Sequence, residues 1–161
     1  MKCFQEICNC SCGDSNELWE ATTNRELNSK LSLKELCHSN IGWFSDKSIC
    51  DSYELADWMD SKIFGIYFLW HKDDYCPTHN LFHMKCLYVG KGQIKNRITR
   101  HFYSKDFSEN MLVYFTYYDL PNRLSKYYEQ LILDIFNVPF NKSENKGLNN
   151  LCMYFTQNEV D

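Results

Sequence analysis

A helix-like segment after Gly90 carries charged and titratable residues where apolar ones are expected. Positions 94, 97, 98 and 101 have the spacing of one buried helical face, and they hold Ile94, Arg97, Ile98 and His101. A charge on an inward face is strongly unfavourable unless it is paired or faces a ligand-filled cleft, so such breaks in the pattern often mark functional sites. The segment therefore predicts a functional site, or a structural arrangement in which Arg97 bridges a carboxylate and His101 packs in the core.

Positive charge is concentrated in the same part of the chain. The formal net charge of the whole chain is -4, which by itself argues against nucleic-acid binding. Residues 63–146, however, hold 11 basic and 8 acidic side chains, whereas residues 1–62 hold 6 and 11. Such a segment can follow a phosphate backbone, and the alternative is a solvated basic helix face. Five cations fall in fifteen residues without Asp or Glu: Lys91, Lys95, Arg97, Arg100 and Lys105.

Cysteine and histidine residues indicate a zinc site in a separate segment. Cys76, His79, His83 and Cys86 have workable spacing for a closed tetrahedral site. The alternative is that the histidines are solvated and that Cys86 points into the core. The N-terminal cysteines lack the spacing of common zinc sites and are expected in a flexible tail, with a metal or redox role as the alternative: Cys3, Cys8, Cys10 and Cys12.

The cysteine count also bears on location. The chain has nine cysteines and lacks the apolar N-terminal segment of a secretory signal. An odd count without an export signal favours a reducing compartment, cytoplasmic or otherwise intracellular, over a disulfide framework. The longest apolar run, residues 63–70, is far shorter than the ~20 residues that cross a bilayer, so no membrane partner is expected.

The hydrophobic pattern predicts an α+β fold. Residues 63–70 and 86–90 have strand character, and residues 71–85 between them are predicted to be the long polar loop of a hairpin. A helix over 91–104, a strand over 111–118 and a helix over 122–136 complete the order β, β, α, β, α. This order predicts a small, three-stranded, mainly antiparallel sheet flanked by helices.

Three regions are expected along the chain. Residues 1–62 form an acidic, Cys-rich tail plus a helical extension, residues 63–146 form the main domain, and residues 147–161 form a C-terminal tail. Within the extension, residues 1–16 are predicted to be poorly ordered and residues 16–37 to be helical.

The last helix of the main domain has an apolar stripe that is expected to face the sheet. Glu129 lies at the border of this stripe, where a glutamate is usually a simple boundary residue. The stripe consists of Leu124, Tyr127, Tyr128, Leu131, Ile132 and Ile135.

Five ordered elements of the sequence resemble the GIY-YIG endonucleases. They are Gly65-Ile66-Tyr67, Tyr88-Val89-Gly90, a helix with Arg97, Arg100 and His101, then Glu129 on a later helix, and Asn141 beyond it. The resemblance covers residues 63–142, about half the chain. Two departures are present: the 20 residues 68–87 between the tripeptides form a longer segment than is typical of the family, and Val89 replaces the second Ile of its name.

The resemblance implies a metal-dependent endonuclease that hydrolyses DNA phosphodiester bonds. Tyr67 would act as general base toward water, or position it, with Lys91 and His101 as the cationic neighbours that make it competent near neutral pH. Tyr88 would hold the phosphate or hydrogen-bond to Tyr67. Arg97 would clamp the scissile phosphate through its planar guanidinium.

The remaining roles follow from the same resemblance. His101 would join the network of the water and the tyrosine, and Glu129 would hold a single Mg2+ or Mn2+ ion. Asn141 would anchor the site or contact the phosphate. Contacts with the DNA backbone would come from Lys91, Lys95, Arg100 and Lys105.

Two other function classes compete with the nuclease. One is a catalytically idle nucleic-acid-binding module, and the other is a Cys-rich zinc-binding interaction protein. A homodimer is a further expectation, because a single small active site cuts one DNA strand at a time.

Overall fold

The computed structural model of the chain describes residues 12–23, 31–44, 60–104, 113–142 and 145–160. Over this part of the chain the helices are α1 (Cys12–Thr23), α2 (Leu33–His38), α3 (Ile94–Ser104), α4 (Asn122–Ile135) and the single turn α5 (Gln157–Val160). The strands are β1 (Asn40–Phe44), β2 (Phe64–Cys76), β3 (Leu81–Gln93), β4 (Val113–Asp119), β5 (Phe136–Asn137), β6 (Asn149–Asn150) and β7 (Cys152–Thr156).

The main sheet has five strands within the described residues, in the order β1-β4-β2-β3-β7, and every pairing in it is antiparallel. The mixed α and β composition of the prediction is confirmed, but the prediction of three strands was wrong. Its three strands are the inner ones, and each edge gains a short strand from a region assigned to an extension or a tail. Both edge strands have five residues, which is too short for a clear alternating pattern.

The hairpin of β2 and β3 is longer than its hydrophobic pattern indicates. The predicted long loop over residues 71–85 was wrong, because both strands continue through it to a turn at residues 77–80. An antiparallel strand can face solvent, so polar residues do not end it. Lys72 of β2 makes a cation–π contact with β3 in this part of the hairpin, where its Nζ lies 3.6 Å from the centre of the Phe82 ring.

The helix predicted to start at residue 91 begins three residues later. Lys91, Gly92 and Gln93 still pair with β2, and the backbone N–H of Ile94 then donates to the carbonyl of Ile63 at 3.1 Å. The end of β3 therefore leads directly into α3, which packs on the sheet through the buried Ile94 and Ile98.

The sheet separates two apolar clusters. The smaller one lies under α3 and contains Tyr67, Leu69, Ile94, Ile98, Val113 and Phe115. The larger one joins the opposite face to α1, α2 and α4, and includes Trp19, Leu36, Ile66, Phe68, Trp70, Tyr128, Ile132, Phe136 and Phe155.

The N-terminal helices are part of the larger cluster. Trp19 in α1 is fully buried, stacks on Tyr128 of α4 with ring centroids 6.3 Å apart, and donates to the carbonyl of Leu31 at 3.2 Å. Residues 12–16, expected in a poorly ordered tail, belong to α1. Ser32 begins α2 with a capping box that it shares with Glu35. Residues 1–11 and 24–30 lie outside the described residues.

The stripe on α4 is displaced from its predicted position. Leu124 and Tyr127 are 45% and 39% exposed, so their assignment to the buried face was wrong. Ser125 is fully buried instead and donates to the carbonyl of Leu120 at 3.3 Å, so the first turn of α4 presents a small polar residue to the core. In the described part of the chain, no helix is both long and apolar enough to span a membrane.

Candidate active site

Two tyrosines from neighbouring strands lie together on the α3 face of the sheet. Tyr67 of β2 pairs with Gly90 of β3, and Leu69 pairs with Tyr88, so the tyrosines are diagonal neighbours with ring centroids 6.0 Å apart. A Cβ atom at position 90 would lie 2.5 Å from Tyr67 Oη and 2.8 Å from Tyr88 Cε1. Only glycine at position 90 therefore leaves room for both rings.

His101 joins the two tyrosines from the helix above them. Its Nε2 lies 2.5 Å from Tyr67 Oη, and its ring centroid lies 4.3 Å from that of Tyr88. Ile94 and Ile98 bury the same side of α3, which holds the imidazole over the strands. We call Tyr67, Tyr88 and His101 the tyrosine–histidine cluster.

The environment of Tyr67 favours its neutral form. Burial raises the pKa of its hydroxyl far above 10.0, hydrogen bonding with Tyr88 raises it further, and Arg97 opposes both by lowering it. The sequence predicts that Lys91 and His101 make this hydroxyl easier to ionise, but the cation that lowers its pKa is Arg97, and burial outweighs the effect of Arg97. Because Tyr67 keeps its proton, its O–H can donate to His101 Nε2.

Tyr88 is more accessible than Tyr67. Burial raises the pKa of its hydroxyl, hydrogen bonding with Tyr67 lowers it, and Glu129 raises it again. Tyr67 is almost fully buried, whereas Tyr88 is partly exposed. Tyr88 is thus the tyrosine of this pair that solvent can reach.

Two opposite charges border the cluster. Arg97 on α3 lowers the pKa of both tyrosines, and Glu129 on α4 raises both, so each charge acts on the two hydroxyls. Arg97 is exposed and Glu129 partly exposed. Of the four residues on the α3 face that was predicted to be buried, Ile94 and Ile98 are buried, His101 is partly exposed and Arg97 is exposed.

Asn141 fixes the strand between the site residues. Its side-chain oxygen accepts from the backbone N–H of Val89 at 3.0 Å, and its amide donates to the Val89 carbonyl at 2.9 Å. Because β7 pairs with β3 only from Leu81 to Lys85, this edge of Val89 has no neighbour among the described strands. Asn141 takes the place of a strand there, which fits the anchoring role among its two predicted roles.

The predicted DNA-contacting cations lie around the start of α3. Lys91 is half-buried and donates to the side-chain oxygen of Asn122 at 3.4 Å, a link between β3 and α4 that the sequence did not indicate. Lys95 is half-buried and Arg100 is exposed, while Lys105 lies outside the described residues.

The four residues of the predicted zinc site are not brought together. Cys76 Sγ lies 3.4 Å from His79 Nδ1, whereas His83 pairs with Asp73 at 3.3 Å. Cys86 is fully buried, and burial raises the pKa of its thiol. Among the described residues no group of three or more His, Cys, Asp or Glu could hold a metal ion, and the zinc site stays a prediction. Cys3, Cys8 and Cys10 lie outside the described residues, and Cys12 begins α1.

Glu129 is the acidic residue whose charge reaches the cluster. Its carboxylate acts electrostatically on both tyrosine hydroxyls, and carboxylate oxygen is the kind of donor that Mg2+ and Mn2+ prefer. Glu129 would supply one such oxygen to a single hard cation, and water and phosphate would supply the other ligands.

Gly92 is a site residue that was not singled out from the sequence. A Cβ atom there would lie 3.0 Å from Nε of Arg97. The available signal was a second glycine two positions after Gly90, because a glycine in a strand often marks a close approach of another group.

No family model, curated protein or solved structure matches the chain.

Proposed function

We propose that the chain is a metal-dependent endonuclease that hydrolyses DNA phosphodiester bonds, the activity that its resemblance to the GIY-YIG endonucleases implies. The observation that carries this proposal is that two tyrosines and a histidine contact one another on the α3 face of the sheet, while two opposite charges act on both tyrosine hydroxyls. These residues come from β2, β3, α3 and α4, and their types meet the needs of phosphodiester hydrolysis. Such a reaction needs an activated water and compensation of the charge on phosphate.

Arg97 is the phosphate clamp in this proposal. Its exposed guanidinium borders the two hydroxyls, so a phosphate bound to it would lie against the tyrosine–histidine cluster. A planar guanidinium makes two parallel hydrogen bonds to phosphate oxygens and stays charged at every relevant pH.

Water activation would run through a relay from Tyr67 to His101. Tyr67 Oη accepts a proton from the attacking water while its own proton moves to His101 Nε2, 2.5 Å away. This relay suits a tyrosine that burial keeps neutral, because no free phenolate has to form before the reaction. Tyr88, on the open side, orients the phosphate or the water.

Glu129 would hold the single divalent cation. When bound, Mg2+ or Mn2+ supplies Lewis-acid stabilisation of the charge on the phosphate and on the departing oxygen. Asn141 positions Tyr88 and Gly90 by holding Val89 between them.

DNA would approach across the start of α3. Lys91, Lys95 and Arg100 lie there on the segment rich in cations, and Lys105 continues that segment in the sequence. Affinity should therefore fall steeply as the salt concentration rises, since each neutralised phosphate releases counterions. A homodimer that cuts both strands remains part of the proposal.

Cleavage of plasmid DNA with Mg2+ or Mn2+ tests the assignment. Wild type is compared with Glu129→Ala and Arg97→Ala, and we expect each variant to lose about 10²- to 10³-fold in cleavage rate, because each removes charge stabilisation of the transition state. Asp134→Ala is the matched control, since Asp134 is an exposed acidic residue five positions further along α4.

The outcomes separate the competing function classes. Equal cleavage by wild type and both site variants would contradict the residue assignment. Binding of DNA by wild type, measured by fluorescence anisotropy, with no cleavage of DNA or RNA would favour the idle binding module. Zinc in the purified protein, with neither cleavage nor DNA binding, would favour the zinc-binding interaction protein.

A further inference from the structure

Gly92 has an unusual backbone conformation at the end of β3. Its φ is +133°, a region that residues with a side chain rarely adopt, and its partner across the strands is Gly65. Gly92 is buried although it has no side chain of its own. Two residues later the strand becomes α3, so this position sets how the helix leaves the sheet.

The side chain of Arg97 fills the space where a residue-92 side chain would lie. A Cβ atom at Gly92 would meet Nε of Arg97 at 3.0 Å, its Cγ at 3.4 Å and its Cδ at 3.7 Å. These three atoms span most of the arginine stem, so the stem crosses the glycine along its length. The guanidinium beyond the stem is exposed and acts electrostatically on Tyr67 and Tyr88.

We infer that Gly92 is a positioning residue that seats Arg97 in the direction needed to clamp the scissile phosphate, an inference that rests on the proposed nuclease function. A long arginine stem has many rotamers, and most of them carry the guanidinium away from the tyrosines. The bare backbone of Gly92 provides a surface on which one stem direction packs. Any L side chain at this position occupies that surface and displaces the stem.

The distance to Nε makes the seat sensitive to small changes. A contact of 3.0 Å is tighter than ordinary van der Waals contact, so the arginine stem must shift to admit even one methyl group. A displacement of about 1 Å can slow a reaction about 10²-fold, so the shift of a few tenths of an ångström that Nε needs here should slow it about tenfold. The predicted defect therefore lies in the cleavage rate at saturating DNA.

A double-mutant cycle tests the inference. Wild type, Gly92→Ala, Arg97→Ala and the double variant are compared for plasmid cleavage at saturating DNA, with thermal unfolding followed in parallel. We expect Gly92→Ala to slow cleavage about tenfold in wild type but less than about threefold when Arg97 is already alanine. Independent, multiplying losses would overturn the inference, as would a Gly92→Ala protein that cleaves like wild type.

A second variant covers the case in which Gly92→Ala does not fold. D-alanine at position 92, introduced by peptide ligation, accepts a positive φ and carries its methyl group in place of the other α-hydrogen, not the one that faces the arginine stem. We expect this protein to cleave faster than Arg97→Ala, and a loss comparable with that of Arg97→Ala would overturn the seat. If Arg97→Ala itself cleaves like wild type, the phosphate-clamp proposal fails instead, so the two failures are distinguishable.

Discussion

The two faces of strand β2 differ sharply although their residues alternate along the same five positions, 66–70. Ile66, Phe68 and Trp70 point into the larger apolar cluster, which is built from α1, α2, α4 and the sheet. Tyr67 and Leu69 point to α3, where a small apolar cluster supports hydroxyl, imidazole and charged groups. The difference separates two tasks: one face stabilises the fold through apolar packing, and the other also holds hydroxyl, imidazole and charged groups.

The polar face depends on burial as much as on charge. Tyr67 is as buried as the core residues beside it, yet it hydrogen-bonds to a titratable partner. Burial keeps its proton in place against the opposing effect of Arg97. A hydrogen-bonded, titratable group thus lies between two fully buried core residues, Ile66 and Phe68.

The largest effect is expected on the core face. Trp70 is fully buried and donates from Nε1 to the buried hydroxyl of Thr116 at 2.8 Å. Trp70→Ala removes a large buried side chain and leaves that hydroxyl without its donor, so we expect the free energy of unfolding to fall by about 3–5 kcal/mol in urea titrations. Trp70→Phe should retain most of the packing, and an equal loss in both variants would break the distinction between the two faces.

A smaller effect should separate anchoring of the site from anchoring elsewhere. Asn141 clamps both backbone groups of Val89, and Asn145 does the same for Val138, accepting at 3.0 Å and donating at 2.8 Å. Each valine is fully buried. Replacing either asparagine by alanine leaves buried backbone groups unsatisfied, so each should lower the free energy of unfolding by about 1–3 kcal/mol.

Cleavage distinguishes this matched pair. Asn141→Ala should also slow DNA cleavage at a temperature where both variants are folded, because Val89 lies between Tyr88 and Gly90. Asn145→Ala should cleave like wild type. The same cleavage rate in both variants would show that the clamp on Val89 does not position the site.

The smallest effect concerns alkaline pH. The pKa of Tyr67 is raised above its usual 10.0, so its contribution to stability is fully present below about pH 10 and is lost as pH rises beyond that value, where the unfolded chain releases the proton first. One such group contributes a fall of about 1.4 kcal/mol per pH unit. In Tyr67→Phe, the free energy of unfolding should therefore fall less steeply with pH, by about that amount per pH unit. Urea titrations between pH 9 and 11, a range that brackets the usual tyrosine pKa of 10.0, measure this slope.

The matched control is Leu69→Val, which changes packing in the same apolar cluster without removing a titratable group. Its decline with pH should follow that of wild type. An unchanged decline in Tyr67→Phe would mean that the hydroxyl ionises as easily in the folded protein as in the unfolded chain.

The inner fold was predictable because its elements have strong local patterns. The apolar run at residues 63–70 and the helical spacing at 122–136 correspond to β2 and α4. The edge strands were not predictable, because five residues with long-range partners carry no periodic signal of their own. The exposure of Leu124 was not predictable from the apolar stripe either. The first turn of α4 buries Ser125, and Leu124 beside it faces solvent.

The sequence predicted which residues of the site come together better than it predicted their protonation and orientation. Residue order placed Tyr67, Tyr88 and His101 in one region, and the structure brings their rings into contact. The neutral state of Tyr67 could not be read from the sequence, because it depends on burial by residues far along the chain. The packing of Arg97 against Gly92 likewise depends on the positive φ of Gly92. A glycine permits this angle, but its presence in the sequence does not show that the angle is adopted.

The pairing of β1 with β4 has a consequence for the order in which the protein folds. Asn40 and its partner Tyr117 are 77 residues apart, whereas β2 and β3 meet through a four-residue turn. Closing a short loop restricts the unfolded chain less than closing a long one, and local contacts form faster. We therefore expect the hairpin with Tyr67 and Tyr88 to form early and the two edge strands to join last, so that the floor of the site is assembled before the sheet that surrounds it is complete.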